Sequence, residues 1–311
     1  MPEGTITRGT TNPNRLRRVD RWLQTWPALR TTADPLVVDL GYGASAVTPL
    51  ELMHRLRKTR PDVQLIGLEI DPERVRIARA ELAEAHALAL RGPSAAVGAA
   101  SAGATGARSG VSGVARAART VADMERVSFE LGGFEVPLPR NRKAIIIRAF
   151  NVLRQYDEAD VAPAWNRMLT RLQPGGVLVD GTCDEIGRIS SWIAVTPETV
   201  PSASAEATPG GPQTLSIALR LDELEVPSIV AERLPKALIH RNVEGEKIHR
   251  YLSDLDRAWQ VNAPLRDFGA TQRWIATASA MRDAGWPVHG GRTRWRLGEL
   301  TVDWSAVAPL P

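Results

Sequence analysis

The chain has 311 residues, 43% hydrophobic and 24% charged, enough apolar material for one large domain or two small ones. No run approaches the ~18 uninterrupted apolar residues of a membrane span, and the first residues lack the apolar core of a secretory signal. A single cysteine, Cys183, excludes an intramolecular disulfide framework and a cysteine-rich zinc site, so a cytoplasmic protein is expected. The formal net charge of +4 comes from 39 basic residues, four of them Lys, against 35 acidic ones. So mild a surplus leaves RNA open as a partner without arguing for it.

Residues 1–34 read as a polar, basic arm. Leu16, Val19 and Leu23 have helical spacing, which predicts a short amphipathic helix over 14–25. The arm is either a solvated segment docked on the domain or, with Thr10, Thr11 and Arg15 as donors, a flap over a ligand. Residues 35–41 (PLVVDLG) predict a strand buried on both faces, 49–59 a helix, and 63–70 (VQLIGLEI) a second buried strand. Asp71 can cap the next helix with Pro72 at its first position, and that helix runs to about residue 90. Such strand–helix alternation predicts a parallel sheet with right-handed crossovers. Residues 92–117, nearly all Ala, Gly and Ser, read as a disordered insert.

The alternation resumes with strands at 127–131 and 144–150, a helix at 160–172, a turn at Pro174-Gly175-Gly176 and a strand at 177–182. Residues 188–195 and 214–221 predict an antiparallel edge pair. From 223 onward the pattern turns helical: a short helix opened by Pro227, amphipathic helices at 246–259 and 271–284, and a last strand at 295–304. Five of the nine tryptophans lie here (Trp259, Trp274, Trp286, Trp295, Trp304); we read them as core, with base stacking as the alternative. The organisation expected is an arm (1–34), a cofactor-binding α/β domain (35–222) and a helical, Trp-rich extension (223–311).

The informative motif is VVDLGYGAS, residues 37–45. A buried strand ends in an acidic residue, followed by Gly41, Tyr42, Gly43 and a helix. The two glycines let the backbone turn sharply and let a ligand approach without a Cβ in the way. The second strand ends in Glu69, whose carboxylate can accept both ribose hydroxyls of an adenosine. A dinucleotide would place a pyrophosphate on the helix N-terminus, but Asp39 adds negative charge there and suits a cationic ligand better.

These residues resemble a class I S-adenosylmethionine-dependent methyltransferase over residues 35–221. The family's acidic residue and Gly-x-Gly-x-Gly map to Asp39, Gly41 and Gly43, with Ser45 in place of the third glycine. Its ribose ligand maps to Glu69, and Ile70 then touches the adenine. After strand three the family's Asp is replaced by Gly133, beside Phe134, which can stack on the adenine. Asn151-Val152-Leu153 and the run LQPGGVLV are also typical of the family. The resemblance implies a doubly wound, mostly parallel seven-stranded sheet, here with a mainly helical C-terminal appendage. It implies S-adenosyl-L-methionine as cofactor, held by Asp39, Gly41, Tyr42, Gly43, Glu69, Ile70, Gly133, Phe134 and Arg148.

Methyl transfer is an in-line displacement that needs mainly positioning. Asn151, Arg154 and Tyr156, just after strand four, are the candidates facing the methyl group. The Asn-Pro-Pro-Tyr, Cys–Cys and Lys-Asp-Lys-Glu signatures of nucleic-acid methylating enzymes are absent, so the acceptor stays open between a small molecule and RNA. His240 and His249 read as structural or as substrate-side bases, Cys183 as a small buried residue, and Asp184 and Glu185 as modest site candidates. A non-catalytic S-adenosylmethionine-binding module and a nicotinamide-dependent oxidoreductase remain the alternative functions.

Overall fold

The computed structural model describes residues 2–6, 9, 12–90, 121–198 and 210–310. The insert expected at 92–117 lies outside the described residues, as do Thr10 and Thr11. The chain divides into two compact units. One comprises Met1–Phe150 and Arg167–Leu178, the other Asn151–Asn166 and Val179–Pro311.

In the first unit, helices α1 (Arg17–Leu23) and α2 (Pro27–Thr31) precede β1 (Leu36–Leu40), α3 (Val47–Leu56), β2 (Gln64–Glu69), α4 (Pro72–Leu90), α5 (Val121–Met124), β3 (Val127–Leu131) and β4 (Ala144–Phe150). Strand β5 (Leu172–Cys183) begins in this unit, after helix α6 (Glu158–Leu169). The strand order is β3-β2-β1-β4-β5, and β1 pairs in parallel with both β2 and β4 while β2 pairs in parallel with β3. Every residue of β1 and β4 is buried, as the continuous apolar runs LVVDL and AIIIRAF require of strands covered on both faces. Leu50, Met53 and Leu56 of α3 are fully buried, and each such side chain contributes about 1.5–3 kcal/mol.

The Pro174-Gly175-Gly176 turn expected before the last parallel strand is instead the start of β5. Pro174 has no N–H to satisfy, Gly175 takes a φ of 75°, and the Gln173 amide donates to the carbonyls of Asp34 and Lys143 at 2.7 and 2.6 Å. The indole of Trp26 donates to the Gly175 carbonyl at 2.9 Å, so this stretch is held as strand.

In the second unit, β6 (Ile189–Thr196), β7 (Gly211–Leu219), helices α7 (Lys236–Ile239), α8 (Lys247–Val261) and α9 (Ala270–Asp283), β8 (Val288–His289), α10 (Arg292–Trp295) and β9 (Glu299–Asp303) follow β5, in the order β5-β6-β7-β9-β8. The strands from β6 onward pair antiparallel. Among the described residues the sheet has nine strands where seven were expected. The segment read as a mainly helical appendage supplies two of them. In β9 the alternation of Leu300 and Val302, both buried, faces Ile217 and Leu215 of β7. Strand β7, expected at an edge, is therefore interior. Trp259, Trp274 and Trp295 are core residues at 2%, 0% and 2% exposure. The rings of Trp259 and Trp274 meet edge to face at 6.2 Å, the Trp259 indole donates to the Glu225 carbonyl, and the Arg273 guanidinium stacks 3.6 Å from the Trp259 ring centre. Among the described residues, no helix is long and apolar enough to cross a membrane.

Candidate functional site

The first unit brings the glycine loop, the end of β2 and the loop after β3 to the carboxyl ends of parallel strands, where open α/β sheets bind ligands. Gly41 (φ 67°) and Gly43 (φ 91°) both adopt left-handed backbone, and the Gly41 N–H donates to the Leu68 carbonyl at 2.8 Å. Between them Tyr42 turns inward against Phe129, with ring centres 5.0 Å apart. Gly67 makes this possible: a Cβ there would lie 2.6 Å from the Phe129 ring and 3.1 Å from that of Tyr42. Sequence reasoning passed over Gly67, although a lone glycine inside the strand pattern LIGLEI signals such a close approach. The Tyr42 hydroxyl is buried without a hydrogen-bond partner among the described residues. Burial, and then the nearby negative charges of Glu69 and Asp39, push its pKa far above the ordinary phenol range, so it stays protonated.

Glu69 is 1% exposed. Its Oε2 accepts from the Gly43 N–H at 3.1 Å; its Oε1 accepts from the N–H groups of Ile70 at 3.0 Å and Asp71 at 3.4 Å. Arg74 stands 3.6 Å from Oε2. The carboxylate therefore ties the end of β2 to the second glycine of the loop. Asp71 caps the start of α4 as expected, accepting from the Glu73 N–H at 2.9 Å. The N-cap of α3 is Ala46, among the poorest capping residues. Glu81 of α4 caps it instead: its Oε2 accepts from the Ala46 N–H at 3.2 Å and the Ser45 hydroxyl at 3.0 Å.

Asp39 and Arg148 face each other in register across β1 and β4. Arg148 is fully buried and donates to both oxygens of Asp39, from Nε at 2.8 Å and from a terminal nitrogen at 2.5 Å. Its other terminal nitrogen pairs with Asp20 of α1, which also takes Arg55 at 2.5 Å, while the nitrogen on Asp39 also donates to the Thr48 carbonyl at 3.2 Å. Burial works against the guanidinium charge, but the two carboxylates outweigh it and hold its pKa above the ordinary value. The structure thus places Arg148, expected against the cofactor, inside an ion cluster within the fold. Asp20 and Arg55 are members that sequence reasoning did not find.

Gly133 and Phe134 lie against the N-terminal arm. The Phe134 N–H donates to the Glu3 carbonyl at 3.0 Å, while the Glu135 carboxylate accepts from the N–H groups of Glu3 and Gly133 at 2.9 and 3.0 Å. Arg167 pairs with the Glu3 carboxylate. A Cβ on Gly133 would fall 1.9 Å from the Glu3 carbonyl oxygen, so only glycine admits the arm here. Further along, a Cβ on Gly9 would lie 3.2 Å from the Ala44 Cβ on the glycine loop. The arm therefore passes over two of the three loops at which the cofactor contacts were expected.

The three catalytic candidates lie in the second unit. Asn151 takes a φ of 60°; its N–H donates to the Gly181 carbonyl at 2.7 Å, and its side-chain oxygen accepts from the Cys183 N–H at 3.0 Å. These bonds lock the end of β4 to β5. Arg154 donates to the Glu232 carbonyl at 2.9 Å, and Tyr156 closes the short turn with its N–H on the Leu153 carbonyl at 3.1 Å. Cys183 is fully buried. The hydroxyls of Thr182 and Ser191 both donate to the Arg233 carbonyl, and Glu185 lies 3.6 Å from the Arg233 guanidinium. His240 meets Lys236 at 3.1 Å. Among the described residues, no group of His, Cys, Asp or Glu is arranged to hold a metal ion.

No protein-family model matches the chain, and no curated protein matches it. Among the solved structures similar to part of the chain are several methyltransferases. The glycopeptide N-methyltransferase MtfA complexed with S-adenosyl-L-methionine is 15% identical over 56% of this chain and 56% of its own, with a TM-score of 0.31. The mitomycin 7-O-methyltransferase MmcR is 17% identical over 61% of this chain and 38% of its own, with a TM-score of 0.32. An O-methyltransferase family 2 protein from Planctomyces limnophilus in complex with apigenin is 16% identical over 56% of this chain and 40% of its own, with a TM-score of 0.33. The chain spans about half or less of these proteins' lengths, and the superpositions are partial.

Proposed function

We propose that this chain is an S-adenosylmethionine-dependent methyltransferase. The observation that carries the reading is Glu69, a buried carboxylate at the carboxyl end of β2 that is tied by backbone N–H groups to the mouth of the Gly41–Gly43 loop. Its Oε2 accepts one backbone N–H and so keeps a lone pair for a ribose hydroxyl. The orphaned phenol of Tyr42 in the same loop also fits a polar guest. Gly41 and Gly43 leave the loop backbone open to close approach, and Ile70, Gly133 and Phe134 are the proposed adenine side. Asp39 offers a carboxylate toward the cofactor's cationic amino-acid end, held in place by the bidentate Arg148. Arg148 thus acts through Asp39 rather than on the cofactor.

When bound, the cofactor supplies an electrophilic methyl group on a sulfonium. The chain's part is to orient it and to exclude water. Tyr42 stays protonated and can donate but cannot act as a base. We place the acceptor beside Asn151, Arg154 and Tyr156. Asn151 fixes the backbone there, and Arg154 and Tyr156 contribute a cation and a phenol. The acceptor class is a small molecule or RNA. Domain limits of 1–34, 35–222 and 223–311 and a cytoplasmic setting complete the proposal; the one cysteine, which is buried, supports that setting.

The test is calorimetric titration with S-adenosylhomocysteine. We expect micromolar binding that Glu69→Ala weakens at least about tenfold, the ~1.4 kcal/mol of a lost charge-assisted hydrogen bond. No binding by the wild-type protein would overturn the reading. Binding without methylation of any cell-extract component would favour a non-catalytic binding module.

A further inference from the structure

We infer that Glu81 is a specificity determinant of the cofactor site: a built-in carboxylate on the anion seat of the glycine loop that selects against phosphate-bearing nucleotides. The inference rests on the adenosine-site reading and concerns the same loop.

A strand, a glycine loop and a helix in this order normally offer the helix N-terminus to a pyrophosphate, because its first N–H groups have no partner within the helix and the helix dipole favours negative charge there. Here part of that seat is already taken. The Ala46 N–H and the Ser45 hydroxyl both go to Glu81 Oε2, at 3.2 and 3.0 Å. Pro49, in the first turn of α3, has no N–H to offer. Glu81 comes from α4, 35 residues beyond Ala46, so the pairing is tertiary rather than a local cap. A phosphate entering this seat would meet a carboxylate of the same sign and find these two donors occupied. An adenosine whose 5′ end carries no phosphate avoids both penalties. Both kinds of nucleotide would use Glu69 for the ribose, so discrimination falls to the glycine loop, where Glu81 is the carboxylate seated on the donors at the start of α3.

The experiment compares two probes sharing an adenosine, ADP-ribose with a pyrophosphate and S-adenosylhomocysteine without one. Each is titrated calorimetrically into the wild-type protein, Glu81→Gln and Glu81→Ala. Glu81→Gln keeps an acceptor oxygen for Ala46 and Ser45 and removes the charge; Glu81→Ala also frees both donors. The ratio of the ADP-ribose Kd to the S-adenosylhomocysteine Kd should fall at least tenfold in Glu81→Gln and further in Glu81→Ala. A merely structural role would weaken both probes together and leave the ratio unmoved, which would overturn the inference. Wild-type protein that binds ADP-ribose as tightly as S-adenosylhomocysteine would overturn it too. If the wild-type protein fails to bind S-adenosylhomocysteine, the cofactor reading falls. The ADP-ribose affinities of the variants against wild type then decide the role of Glu81 by themselves: a tenfold gain upholds its repulsion of phosphate, and no gain overturns it.

Discussion

The two units of this chain each bury an aspartate in a sheet strand, and they treat it differently. In the first, Asp39 receives two hydrogen bonds from a guanidinium that is itself shared with Asp20. In the second, Asp180 of β5 has one donor among the described residues, the neutral indole of Trp165 at 3.1 Å. Burial pushes the Asp180 carboxyl up to about 7, and that single indole bond opposes the shift only in part. Burial raises the pKa of the Asp39 carboxyl as well, but there the Arg148 charge and hydrogen bonds oppose the rise, where Asp180 has only a dipole to oppose it.

The comparison can be broken most forcefully at Arg148. Arg148→Met leaves Asp39 and Asp20 buried without the guanidinium they share, and should cost about 3–5 kcal/mol in urea unfolding. A loss under about 1 kcal/mol would mean that the carboxylates find other partners. Next in size is Asp180→Asn. The native carboxyl has a raised pKa, so the folded state holds its proton through a pH range in which the unfolded chain has lost it. The stability tied to this proton is complete below about pH 4 and is lost as pH rises through about 7. Asn should therefore stabilise the protein at pH 8, by ~2–4 kcal/mol, and flatten that pH dependence; an unchanged pH profile would refute the assignment. The smallest effect belongs to Trp165→Phe. It removes the one bond that favours the charged form, so the gap between stability at pH 5 and at pH 8 should widen by about 1 kcal/mol, separable from any packing loss common to both pH values.

The parallel half of the fold was legible because its signals are local. Continuous apolar runs marked β1, β2 and β4, and Asp71-Pro72 marked the start of α4. The glycine loop and Glu69 were legible for the same reason. What escaped was non-local. Nothing near Asp20 or Arg148 announces that residues 128 positions apart form an ion pair. Arg148 on its strand looks like any arginine aimed at a ligand. Strand β8 is two residues long and exists through its pairing with β9, so no periodicity could reveal it. Gly133 stood out as a missing acidic residue, and only the folded arm explains why a side chain is excluded there.

The pairing of Asp20 with Arg148 also sets a timetable for synthesis. Helix α1 leaves the ribosome 128 residues before the guanidinium that completes its buried contact, which is roughly 6–26 s at ordinary elongation rates. During that interval Asp20 and Asp39 are both without Arg148, and burying them would cost more than it gains. The full set of partners for Asp20 and Asp39 therefore exists only once β4 has been made.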